Sequence, residues 1–98
     1  MIKCKYDTND GKHRLRIWGH ANFDSEGRDI VYAGVSAIFY SLIGALLTYS
    51  PDETYYKDES GEGEVVFSDN EENRCYIKMA MLGLSQIEAR YGEYLKII

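Results

Sequence analysis

A single proline, Pro51, stands in the 98 residues of this chain. That scarcity excludes a proline-rich linker or an extended polyproline arm. There are two cysteines, Cys4 and Cys75, and neither has a CxxC partner. A disulfide scaffold and a thiolate zinc site are both excluded by that count, and a reducing, cytoplasmic setting is expected. Only two histidines occur, His13 and His20, and no His/Cys/Asp/Glu group has metal-ligand spacing. No phosphate-binding glycine loop is present, so neither metal nor cofactor is expected. Basic residues are outnumbered 11 to 16 by acidic ones, for a net charge of -5. This balance argues against nucleic acid as the primary ligand. The longest apolar stretch, Ile30 to Tyr49, is interrupted by Ser36, Tyr40, Ser41 and Thr48. It lacks the run of roughly 20 apolar residues that a membrane span needs, and no membrane partner is expected. Met1 leads directly into a strand pattern, so no signal peptide is expected. The length suits one domain, 1–98.

What is present reads as alternating strand pairs and helices. Asp10-Gly11 is a type I′ hairpin signal. With a two-residue loop, Asn9 pairs with Lys12, Tyr6 with Leu15, Cys4 with Ile17 and Ile2 with Gly19. The other face pairs Asp7 with Arg14, Lys5 with Arg16 and Lys3 with Trp18. One face is then apolar and the other mainly basic, a separation that a one-residue slip would destroy. The basic face, with Trp18, reads as a solvated sheet surface.

The next element is a helix expected to begin near Asp29. Asp29 would cap it by accepting from the backbone N–H of Val31 or Tyr32. Val31, Val35, Ile38, Leu42, Ala45, Leu46 and Tyr49 recur at helical spacing. Much of the remaining circumference is apolar too, which implies cover nearly all round. Pro51 blocks continuation. Glu53–Asp58 and Glu64–Phe67 read as a second strand pair joined through Ser60-Gly61-Glu62-Gly63, a loop that admits more than one register. Ser68-Asp69-Asn70-Glu71 has capping-box spacing. It opens a second helix with Ile77, Ala80, Met81, Leu84, Ile87 and Tyr91 inward, stopping at Gly92. The order β-β-α-β-β-α implies an α+β two-layer sandwich, an antiparallel sheet packed against two helices.

Two motifs carry a family resemblance. Gly19-His20-Ala21 is followed by a short polar loop and by Gly27-x-Asp29-Ile30-Val31-x-Ala33-x-Val35-Ser36-Ala37. This resembles the ribosomal-processing cysteine protease family, Prp, whose pattern is GHA, a glycine-containing loop, then GxDIVCAAVSAL. Gly83-Leu84, Ile87-Glu88, Tyr91 and Tyr94-Leu95 look like that family's closing helix. The resemblance implies a small homodimeric protease of the bacterial cytoplasm. Such a protease trims the N-terminal extension of a large-subunit ribosomal protein. It also implies site positions: the histidine at His20, the aspartate at Asp29, the serine at Ser36, and the nucleophilic cysteine at Tyr32. The loop Asn22, Phe23, Asp24, Ser25, Glu26, Gly27, Arg28 would close over an extended peptide, hinged at Gly27.

The chemistry of the family position is clear. A helix N-terminus lowers a thiol's pKa, and a nearby histidine takes or holds its proton. A phenol, with an ordinary pKa near 10, gains little from either. Cys4 on the apolar hairpin face reads as a packed structural thiol, and Cys75 as a residue of the second helix. Read without the family, His20 is a structural or surface histidine, Asp29 a cap and Ser36 a small packing residue. The acidic residues Asp52, Glu53, Asp58, Glu59, Glu62 and Glu64 read as solubilising, or as an attraction for a basic peptide tail. Two expectations follow. One is a pseudoprotease, a dimeric peptide-binding module lacking its nucleophile. The other is an active peptidase trimming a ribosomal or phage structural protein.

Overall fold

The computed structural model describes residues 1–19, 26–59 and 61–98, with 26–29 described by backbone alone. The element order is β1 Ile2–Asn9, β2 Lys12–Trp18, α1 Glu26–Tyr49, a 3-10 turn Pro51–Glu53, β3 Thr54–Glu59, β4 Glu62–Ser68, α2 Glu71–Tyr91 and β5 Leu95–Ile97. The strands form one sheet in the order β3-β4-β2-β1-β5, with both helices on one face. This is the expected α+β sandwich, extended by a short fifth strand.

The first hairpin has the expected register from Asn9–Lys12 to Lys3–Trp18. Asp10 and Gly11 both take positive φ, 50° and 75°, as the type I′ turn demands. Ile2, Cys4 and Leu15 are buried under the helices. On the opposite face Arg14 reaches Asp7 at 3.2 Å and Arg16 reaches Glu62 at 3.7 Å. The basic stripe is thus met by acids of β1 and β4, an ordinary solvated sheet face.

Four expectations are corrected. The β3–β4 connection is shorter than the expected Ser60–Gly63 loop: Glu62 and Gly63 belong to β4, and Glu59 pairs with Glu62. The cap of α2 is Asn70, whose side chain accepts from the N–H of Asn73 at 2.8 Å, while Ser68 stays in β4. Tyr94-Leu95 does not extend a closing helix. Leu95–Ile97 runs parallel to β1, which makes the sheet mixed and not wholly antiparallel. Finally, α1 starts at Glu26, three residues before the expected cap at Asp29.

By length and mean composition the Ile30–Tyr49 part of α1 is apolar enough to cross a membrane, in spite of the polar residues that interrupt it. In the fold it lies on the sheet through Val31, Val35, Phe39, Leu42, Ile43 and Leu46, all buried. Phe39 and Ile43 are added to the expected stripe, and Tyr49 leaves it. Cover is not complete in the single chain: Ile30, Tyr32, Tyr40 and Leu47 are exposed. On α2 the buried residues are Asn73, Ile77, Ala80 and Leu84. Buried Asn73 is satisfied by donating to Ser68 O at 3.0 Å and accepting from Ser50 Oγ at 3.3 Å, as a buried amide requires. That pair ties the end of α1 to the start of α2.

Candidate active site

One side of α1 faces the end of β2 and the β3–β4 hairpin across a cleft. Tyr32, Val35, Ser36, Phe39 and Tyr40 line it from the helix, the i, i+3, i+4, i+7, i+8 series of a single face. Ile17, Gly19, Asp58 and Gly63 stand opposite, around a pocket of about 60 Å³. Two glycines shape this wall. Gly19 has φ +119°, and a Cβ there would lie 2.2 Å from the carbonyl oxygen of Met1. Its N–H donates to Gly61 O at 3.1 Å, which pins the end of β2 to the second hairpin. At Gly63 a Cβ would lie 2.8 Å from Phe39 Cε2, so the missing side chain is what lets the Phe39 ring settle on β4.

Among the described residues the polar side chains of the cleft include phenols, a hydroxyl and carboxylates. Tyr32 is 54% exposed, with its ring on the cleft wall. Ser36, one turn later, is half-buried. Tyr40 donates its hydroxyl to Asp58, bridging α1 to β3. The Asp58 carboxylate accepting that bond raises the Tyr40 pKa above the ordinary phenol value.

The structure brings Tyr32 and Ser36 together as the sequence implied. Asp29 lies in the first turn of α1, by its backbone. Glu26, Gly27 and Arg28 are helical, so they form the start of α1 and not the end of a hinged loop. His20 and the loop residues Asn22, Phe23, Asp24 and Ser25 lie outside the described residues. Because α1 begins at Glu26, Tyr32 stands in its second turn and not its first. The partial positive charge of a helix start fades within the first turn, so this position has less thiolate-stabilising power than the expected helix start implied.

The thiols lie elsewhere. Neither Cys4 nor Cys75 lines the cleft. Cys4 is fully buried, and its pKa is pushed up to about 12 by burial, with Glu88 adding to the rise. Cys75 is exposed on α2. Among the described residues no group of three His, Cys, Asp or Glu side chains is placed to hold a metal. The structure adds Tyr40 and Asp58 to the site. The first was readable as the residue two turns beyond Tyr32. The second was not, because the sequence left the register of its hairpin open.

Residues 1–96 match the sequence model of the family described as cysteine protease Prp. The ribosomal processing cysteine protease Prp of Staphylococcus aureus (strain Mu50 / ATCC 700699) is 31% identical over 103 residues, covering 99% of this chain and 97% of that one. A crystal structure of an essential ribosomal processing protease Prp from S. aureus in complex with a substrate peptide has TM-score 0.82 and 27% identity, covering 100% of this chain and 98% of that chain. A second, with a covalently linked product peptide, has TM-score 0.79 and 29% identity, covering 99% and 97%. SMU.848 from Streptococcus mutans shares the fold at TM-score 0.76 and 21% identity, over 99% of this chain and 91% of that one. Fold, cleft and likeness together define a small α+β domain of the cysteine-peptidase class. The chain belongs to the cysteine protease Prp family.

Proposed function

We propose that this Prp-family chain is a pseudoprotease, a module that binds a peptide in the α1 cleft and leaves it uncut. The observation that carries the reading is Tyr32. It stands where the family resemblance places the nucleophilic cysteine, and its half-exposed ring lies on the wall of the cleft. Attack by its oxygen on an amide would form a reactive aryl ester, but a phenol is a far weaker nucleophile toward an amide than a thiolate. The ring also takes up space that an approaching carbonyl needs. Buried Cys4, held as the thiol, cannot substitute. The S. aureus relative is solved with a substrate peptide, which supports a peptide as the class of ligand; the family resemblance implies the N-terminal tail of a ribosomal protein.

A homodimer is part of the reading. The uncovered side of α1 presents Ile30, Ala33, Ala37 and Leu47 at helical spacing, and α2 adds exposed Met79 and Leu82. An apolar helix face of this kind is covered most economically by a second copy. The test of the whole reading is to titrate the native chain with the S. aureus substrate peptide and then recover the peptide for mass spectrometry. Saturable binding with intact peptide is expected. Stoichiometric conversion to product would establish the active-peptidase alternative, and absence of binding would remove the peptide module.

A further inference from the structure

Among the described residues one carboxylate, Asp58, faces the helices across the cleft, and its surroundings define a charge preference. On β3, alternate residues face opposite sides of the sheet. Asp58 pairs with buried Gly63 and meets Tyr40 of α1, so it faces the helices. Glu59 and Glu62 border the same cleft, but each has a cation at 3.7 Å, Lys57 and Arg16 respectively. Asp58 has no cation partner among the described residues. Its bond from Tyr40 uses Oδ2, which leaves Oδ1 for a ligand. Among the described residues lining the cleft none is basic. The half-exposed rings of Tyr32 and Tyr40 stand on the helix side of the cleft, and a cation is attracted both to aromatic faces and to a carboxylate.

We infer that Asp58, with the Tyr32 and Tyr40 rings, selects peptides that present a lysine or arginine side chain to the cleft. The inference rests on the peptide-binding reading and adds to it the chemistry of one peptide position. A single partly exposed ion pair is worth a modest selectivity, about fivefold at low salt. It is screened as ionic strength rises.

The experiment uses the native chain and its single tryptophan, Trp18, which lines the cleft. Trp18 emission is titrated with acetylated, amidated octapeptide pools. Each pool has arginine fixed at one position and uncharged, non-tryptophan residues elsewhere. The matching pools carry citrulline, the neutral isostere. The best arginine pool is expected to bind about fivefold more tightly than its citrulline match at low salt. The preference should fall below about twofold at 0.5 M salt. It should also fall below about twofold in Asp58→Asn, which keeps an acceptor for Tyr40. Equal binding of arginine and citrulline pools by the native chain would overturn the inference and leave peptide binding standing. No response to any pool would overturn both. A preference that survives in Asp58→Asn would overturn the assignment to Asp58.

Discussion

At the residue scale, the two cysteines and the Asp69 network carry the clearest chemistry. Cys4 is buried and its pKa is raised to about 12, while Cys75 is exposed. Iodoacetamide should therefore modify Cys75 and spare Cys4 until the chain unfolds, as peptide mass mapping would show. The same shift has a stability consequence. The folded-state pKa lies above the unfolded one, so the contribution is fully present below about pH 9 and is lost as pH rises toward 12. Chemical denaturation midpoints should decline across that window, and Cys4→Ala should flatten the decline. Asp69 behaves in the opposite sense. It accepts from Arg74 Nε and Nη2, at 2.7 and 3.1 Å, and meets His13 Nε2 at 2.8 Å, and these partners hold its carboxyl well below the usual carboxylate range. His13 is buried and meets the Tyr6 hydroxyl at its other nitrogen, 2.6 Å away. The Asp69 contribution is present above its unfolded pKa near 4 and is lost as pH falls toward the folded value. Acid unfolding monitored by circular dichroism should be less steep in Asp69→Asn below pH 4. An unchanged acid limb would remove this role.

At the scale of elements, local signals and long-range pairing separate clearly. The α2 cap is a local device, and Asn70→Ala should cost about 1 kcal/mol. For a domain of this size that lowers Tm by about 4–8 °C, measurable by calorimetry. The first hairpin was legible because Asp10-Gly11 fixes a turn and the alternation of Ile2, Cys4 and Tyr6 against Leu15 and Ile17 fixes its face. The body of α1 was legible from the spacing of Val31, Val35, Leu42 and Leu46. Its start was not, because Asp29 offered a good cap while the chain continues helical back to Glu26. The second hairpin was open because glycines at 61 and 63 both permit a turn, and its register is set by Phe39 packing on Gly63. β5 was missed because three residues carry too little pattern; what defines it is pairing with β1 and the bond from Ile97 N–H to Glu88 at 2.6 Å. Of the site, the helix residues Tyr32 and Ser36 could be read from a motif. Asp58 needed the tertiary pairing across the cleft.

At the scale of the whole molecule, the exposed side of α1 and the altered cleft are the two features to test. A homodimer covering that helix face should be seen as twice the chain mass by sedimentation at micromolar concentration. Leu47→Glu, which places a charge on the face without touching the buried stripe, should shift the chain to monomer while its circular dichroism stays native. An unshifted dimer would move the interface elsewhere. The central claim is that the chain has the fold of a cysteine protease without its nucleophile. It is tested most directly by incubating the S. aureus substrate peptide with the native chain, with the iodoacetamide-treated chain and with Tyr32→Cys, and counting product by mass spectrometry. The account predicts no product from the native chain, treated or not, with any cleavage confined to Tyr32→Cys. Turnover by the native chain would contradict it, and loss of that turnover on alkylation would assign the chemistry to Cys75 or Cys4.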